Sequence, residues 1–280
     1  MLFCGHALVV QWIEQRTSKP LIVVRFHARA PCMNHRYSPL KRELKKAYRK
    51  FFPVPVSPWT AGHVDDICAV NLVPPQKLIS FFEGCIERLQ GLRGDDIGDY
   101  LEFGVFNGNS IGSMYLARQA KGVKSTRLFG FDAFEGLPAG SEKEDDGVWK
   151  KGFYTCSFEQ MQKCLSGRSV PPSEITWIKG WYDQTLTNET VTKYNLTNPG
   201  IIFVDCDTYS SSKTVLGCMA PLIIKPVIIC LDDWKLNDLD VKGMGEYKSF
   251  NEFLEANPQF VAKEIPSYNR KSKSFLLNLR

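Results

Sequence analysis

IIFVDCDTYSSS, residues 201–212, and PVIICLDDW, residues 226–234, decide the reading of this chain. Each opens as a run of Val, Ile, Leu, Phe or Cys without the polar alternation of a half-exposed strand, so each reads as a parallel strand buried on both faces. Both runs end in carboxylates: Asp205 and Asp207 in the first, Asp232 and Asp233 in the second. Ligands of open α/β sheets bind beyond the carboxyl ends of the strands, and clustered carboxylate oxygens suit a hard divalent cation. The pattern points to metal-assisted chemistry.

Working outward, three more strands are expected near 100–103, 127–131 and 175–178, with helices over 109–120, 158–165 and 210–219. Such alternation implies a parallel sheet covered on both faces. After a helix over 245–256 the pattern changes. FVAKEIP (260–266) and SFLLNLR (274–280) are joined only by the polar turn SYNRKSK, and strands linked that closely must be antiparallel. The expected fold is therefore α/β and Rossmann-like: a seven-stranded, mostly parallel sheet finished by a C-terminal antiparallel hairpin, with helices on both faces. That layout resembles class I methyltransferases, whereas ordinary dinucleotide-binding domains lack the hairpin.

The first strand and its turn read YLEFGVFNGNSIGSMYLA (100–117). Gly104 permits a tight turn and Gly108 a close backbone approach to a ligand, with Asn109 or Ser110 capping the following helix. A dinucleotide fingerprint needs G-x-G-x-x-G; the G-x-x-x-G present here suits a smaller ligand without phosphates. The second strand ends in LFGFDAFEGLP (128–138), where Asp132 stands as the acid that accepts ribose hydroxyls in Rossmann folds. GWYDQTL (180–186) offers Trp181 and Tyr182 as a wall of the site or as core. The charged, glycine-bearing stretch 140–155 suits a mobile lid, which its Trp149 and Phe153 favour.

LEFGVFNGNS, FDAFEGLP, KGWYDQTL, IIFVDCDTYSSS and LDDW, in this order over roughly 99–254, resemble the macrocin O-methyltransferase family of S-adenosylmethionine-dependent enzymes. The resemblance implies Mg²⁺-dependent methylation of a hydroxyl on a sugar or other vicinal diol. It makes Asp205, Asp232 and Asp233 the metal ligands and places S-adenosylmethionine on Glu102, Gly104, Asn107, Gly108, Ser110 and Asp132. Asp205 and Asp207 are the candidate catalytic residues. A cation lowers the pKa of an otherwise poor alcohol nucleophile, so the chemistry fits the acids. Related catechol-type enzymes carry a Lys three residues after the first metal Asp, but Thr208 stands there; Lys213 and Lys235 are displaced substitutes, and among the histidines only His63 is plausible. Asp207 also suits a helix cap. Two other readings stay open: a metal-dependent nucleotide-sugar glycosyltransferase, whose D-x-D motif IIFVDCD would supply, and a non-catalytic binding module.

Bulk properties frame this reading. The 280 residues carry a net charge of +5, yet residues 1–53 hold eleven Lys or Arg against two Glu, leaving a mildly acidic body. A basic arm suits RNA or anionic lipid, but a solvated terminus is the expectation, with no nucleic-acid partner. No apolar stretch reaches the ~20 residues of a membrane span. The nine cysteines are scattered without a C-x-x-C pair and are odd in number, which indicates reduced thiols and a cytoplasmic protein. The N-x-T sequons at Asn188 and Asn195 are read as chance. Residues 1–32 are expected to be a disordered or non-native extension, since WIEQRTSKPLIVVRFHARAP resembles a spuriously translated transfer-RNA gene and makes Met33 the start. Residues 33–94 form an N-terminal helical segment, with a basic amphipathic helix over 40–52, and 95–280 the methyltransferase domain. The apolar faces of the N-terminal helices suggest a homodimer; the acceptor is a small molecule.

Overall fold

A computed structural model of the chain describes residues 67–70 and 72–280, together with the backbone of 11–13 and 21–23. The chain divides into two units, Met1–Pro55 and Val56–Arg280. In the first, β1 (Gln11–Ile13) and β2 (Leu21–Val23) pair antiparallel. The basic helix expected over 40–52, His63 and the other three histidines lie outside the described residues.

The second unit opens with α1 (Pro75–Arg93), whose Pro at the first position gives up an N–H that would have no helical partner. The helix runs through Gly91 and ends at Gly94, which takes φ 69° and donates its N–H to Gln90 O. Its Leu78, Phe82, Cys85, Ile86 and Leu89 are buried in the domain core. That apolar face, expected to serve a dimer, is covered from within.

Seven strands follow: β3 (Asp99–Phe103), β4 (Leu128–Asp132), β5 (Ile175–Lys179), β6 (Pro199–Val204), β7 (Val227–Leu231), β8 (Phe260–Ile265) and β9 (Lys273–Leu279). They form one sheet in the order β5-β4-β3-β6-β7-β9-β8. The first five pair in parallel, and β9 runs antiparallel to both β7 and β8. Between them lie α2 (Asn109–Lys121), α3 (Phe158–Gly167), α4 (Tyr182–Thr185), α5 (Asn188–Tyr194), α6 (Tyr209–Met219), α7 (Leu239–Lys242) and α8 (Gly245–Ala256).

The period of two in each strand divides the core. Tyr100, Leu128, Ile201, Phe203, Ile228 and Cys230 meet α1, α2 and α3 on one face. Leu101, Phe103, Phe129, Ile202, Val204, Ile229 and Leu231 meet α5, α6 and α8 on the other. Strand order reverses between β3 and β6, so their C-terminal ends open a crevice where a ligand fits.

One cysteine expectation is corrected: Cys68 and Cys164 form a disulfide. They stand 96 residues apart, and no spacing rule joins them; they meet because the short turn Ile67–Ala69 lies against α3. Among the described residues Cys85, Cys156, Cys206, Cys218 and Cys230 remain free. No described helix is long and apolar enough to cross a membrane.

Candidate active site

The C-terminal ends of β3, β4, β6 and β7 converge on one cleft lined by Gly104, Asp132, Asp205, Asp207, Asp232 and Asp233. Its base is a backbone contact. Gly104 has φ 91°, and a Cβ there would lie 1.7 Å from the carbonyl oxygen of Asp205. Only glycine allows the β3 turn and the β6 turn to approach so closely. Gly108 differs from expectation: it does not line the cleft, and its missing side chain makes room for Leu165 of α3, 2.8 Å from where a Cβ would stand. It is also the N-cap of α2, in place of Asn109 or Ser110.

Asp132 at the end of β4 holds the glycine turn in shape. Its Oδ2 accepts the N–H groups of Val105 (2.7 Å) and Phe106 (3.1 Å), and its Oδ1 accepts that of Phe134 (2.6 Å). A carboxylate takes about four such bonds, so capacity for a ligand hydroxyl remains. Burial pushes the Asp132 pKa up, while these three N–H groups oppose the shift. Glu102 is fully buried and does not line the cleft; it accepts hydrogen bonds from Tyr100 Oη and Ser110 Oγ (2.7 Å to the latter). Burial raises its pKa to about 8. Ser110 and Asn107 do line the cleft. The Asn107 amide, however, donates to the carbonyls of Ile67 (2.9 Å) and Val70 (2.7 Å), and Asn109 Nδ2 donates to Val73 O (2.8 Å). Arg168 adds bonds to Cys68 O and Asn107 O, both 2.9 Å. The segment before α1 is thus stitched to the glycine turn, and its Val70, Leu72 and Val73 wall the cleft. Asn109 Oδ1 is buried without a partner, an acceptor that sequence reasoning missed.

Opposite the turn stand the acids. Asp205, Asp232 and Asp233 each bring a carboxylate oxygen within 4.8 Å of the others. Burial first, and then mutual repulsion, push Asp205 and Asp233 well above the carboxylate range; burial also raises Asp232, against the hydrogen bond from Tyr268. Three carboxylates this close, one buried and two half-buried, favour either protons or a cation, so the donor set fits Mg²⁺. Asp207 is outside the trio. It takes φ 64° and is pushed up to about 8, mainly by burial. The cap of α6 is Thr208, whose hydroxyl accepts from Ser211 N (3.3 Å), so the capping alternative for Asp207 falls away. Lys213 is paired with Glu252 (2.9 Å), and neither it nor Lys235 lines the cleft.

The stretch read as a mobile lid is clasped in place. Asp145 accepts from Trp149 Nε1 (3.0 Å), Tyr209 N (2.8 Å) and Gly245 N (2.9 Å), joining the loop to the first turns of α6 and α8. Glu144 accepts from Ser210 N (2.9 Å) and Ser210 Oγ (2.8 Å). Trp149 is 1 % exposed beneath it, while Phe153 and Tyr154 face the cleft together with Trp181 and Tyr182. Glu246 was also missed. Fully buried, it accepts the N–H of Asp233 (2.9 Å) and so fixes the peptide between two of the acids.

Strand order, hairpin and cleft together define a class I methyltransferase fold. The family model for macrocin-O-methyltransferase (TylF) matches residues 68–257. The chain belongs to that family. Among its relatives, the 8-demethyl-8-(2,3-dimethoxy-alpha-L-rhamnosyl)-tetracenomycin-C 4'-O-methyltransferase of Streptomyces olivaceus is 24% identical over 167 residues, 58% of this chain and 61% of that protein. The match thus spans less than two thirds of that relative. The O-methyltransferase NovP superposes with a TM-score of 0.55 at 18% identity, over 71% of this chain and 79% of its own. For the calicheamicin methyltransferase CalS11 the values are 0.48, 15%, 89% and 99%.

Proposed function

We propose that the chain transfers the methyl group of S-adenosylmethionine to a hydroxyl of a sugar or another vicinal diol, with Mg²⁺ held by Asp205, Asp232 and Asp233. The observation that carries this reading is the meeting, in one cleft, of the glycine turn with Asp132 on one side and the aspartate trio on the other. The family and the S. olivaceus relative, which methylates a rhamnosyl compound by its name, support a sugar acceptor.

When bound, the cation supplies a Lewis acid that lowers the pKa of the acceptor hydroxyl. The chain's own residues do the rest. Gly104, Asn109, Ser110 and Asp132 bind the methyl donor, with Glu102 holding Ser110 from below. Phe153, Tyr154, Trp181 and Tyr182 exclude water and orient the acceptor, which is the main task when the leaving group is already good. The S–CH3 bond breaks, the O–CH3 bond forms, and the hydroxyl proton passes to the ionised form of Asp207. A glycosyltransferase D-x-D site would use both acids of the motif on one ion, whereas Asp207 lies outside the trio of Asp205, Asp232 and Asp233.

Calorimetric titration separates these readings. S-adenosylhomocysteine is expected to bind and a sugar nucleotide alone is not; tight sugar-nucleotide binding without S-adenosylhomocysteine binding sinks the proposal. Asp232→Asn is expected to keep S-adenosylhomocysteine affinity and lose turnover by at least about a hundredfold, and retained turnover with chelator present rules out metal assistance.

A further inference from the structure

The aspartate trio is steadied from a part of the chain far from it in sequence, the turn between β8 and β9. Tyr268 Oη donates to Asp232 Oδ1, and both Tyr268 and Asn269 line the cleft. The turn is built to present this donor. Asn269 Oδ1 accepts the N–H groups of Lys271 (2.7 Å) and Ser272 (2.8 Å), and Ser267 Oγ bonds Ser272 Oγ (2.7 Å) and Ser274 Oγ (3.1 Å). The Tyr268 ring is 7 % exposed. It stacks on Phe203, two residues before Asp205, with centroids 5.5 Å apart, and meets Phe81 of α1 edge-on at 5.0 Å. Rings on two sides leave the hydroxyl little freedom to swing away.

Asp232 is more open than Asp233, the acid beside it. It is half-buried, whereas Asp233 is 8 % exposed and its N–H is fixed by Glu246. Like-charged carboxylates within 4.8 Å of one another repel, and an unheld Asp232 would turn toward solvent before any ion arrives.

We infer that Tyr268 is a positioning residue for the cation site: presented by a turn that Asn269 organises, it locks the Asp232 carboxylate in the orientation that completes the trio with Asp205 and Asp233. The inference rests on the reading of that trio as a divalent-cation site. Donors that orient metal-binding side chains are commonly worth tenfold to a hundredfold in metal affinity.

The test titrates Mn²⁺ into the full chain by electron paramagnetic resonance, for wild type and Tyr268→Phe, with S-adenosylhomocysteine affinity and thermal midpoint in chelator measured beside it. Tyr268→Phe keeps the ring and its stacking. The expected result is Mn²⁺ binding weakened about tenfold or more, with S-adenosylhomocysteine affinity within about twofold. Mn²⁺ affinity unchanged from wild type overturns the inference, and so does an equal loss of both ligands, which would mark general disruption. If Tyr268→Phe does not fold, Asn269→Ala carries the same comparison with the same two outcomes. Wild type that takes up no Mn²⁺ sinks the cation reading itself, and the positioning role with it.

Discussion

Gly104 shows how one missing side chain sets the geometry of the cleft. With a Cβ position 1.7 Å from the Asp205 carbonyl and φ at 91°, no substitution fits without moving β3 away from β6. Gly104→Ala is expected to lower unfolding free energy by at least about 3 kcal/mol in urea titrations, since overpacking and a positive φ act together. Glu102 invites a pH test. Its folded pKa of about 8 lies above the 4.5 of an unperturbed Glu, so between those values the folded state keeps a proton that the unfolded state has lost. Stability from this group is fully present below about pH 4.5 and declines as pH rises through 8, at about 1.4 kcal/mol per pH unit. Glu102→Gln, with chelator present, is expected to flatten that slope in the thermal midpoint; an unchanged slope refutes the assignment. Residues of this kind mark where sequence legibility stopped. Asp205, Asp232 and Asp233 were readable because acids at the end of buried strands are conspicuous. Asp132 was readable as a strand-end acid, but not that its oxygens clasp Val105, Phe106 and Phe134. Glu246, a single Glu opening an ordinary amphipathic helix, gave no signal.

At the scale of elements, two connections behave differently from their composition. The loop over 140–155 has the charge and glycine content of a lid, yet three backbone and indole N–H groups converge on Asp145. Asp145→Ala leaves those donors buried without an acceptor and is expected to cost about 2–4 kcal/mol and to raise hydrogen exchange across the loop first. Unaltered exchange there would show that the clasp does not hold it. The segment before α1 is held by the Cys68–Cys164 disulfide and by the side chains of Asn107, Asn109 and Arg168. Opening that bond by Cys68→Ser is expected to remove about 2–5 kcal/mol of stability, with weaker S-adenosylhomocysteine binding because Val70, Leu72 and Val73 wall the cleft. A variant with wild-type affinity would separate the tether from ligand binding. The pairing was illegible because contact, not spacing, joins residues 68 and 164.

For the molecule as a whole, the seven-stranded sheet was legible almost to the residue, since uninterrupted apolar runs report strands covered on both faces and the closing hairpin announces its direction by its short turn. The turn's role was implicit in the same topology. Leu231 pairs with Lys273 in the antiparallel β7–β9 register, so the β8–β9 turn must lie beside Asp232. Cation binding by three acids with raised pKa values should displace protons. Mn²⁺ is therefore expected to raise the thermal midpoint, and more at pH 8 than at pH 6; a larger gain at the lower pH contradicts it. The placement of β9 between β7 and β8 has a further consequence for biosynthesis. A ribosome delivers all four aspartates before it delivers Tyr268 and the strand that seats it. Until residues 273–279 emerge, β7 is an open edge and Asp232 lacks its Tyr268 donor, so a product truncated at 266 would carry every acid of the site without the hydroxyl that orients one of them.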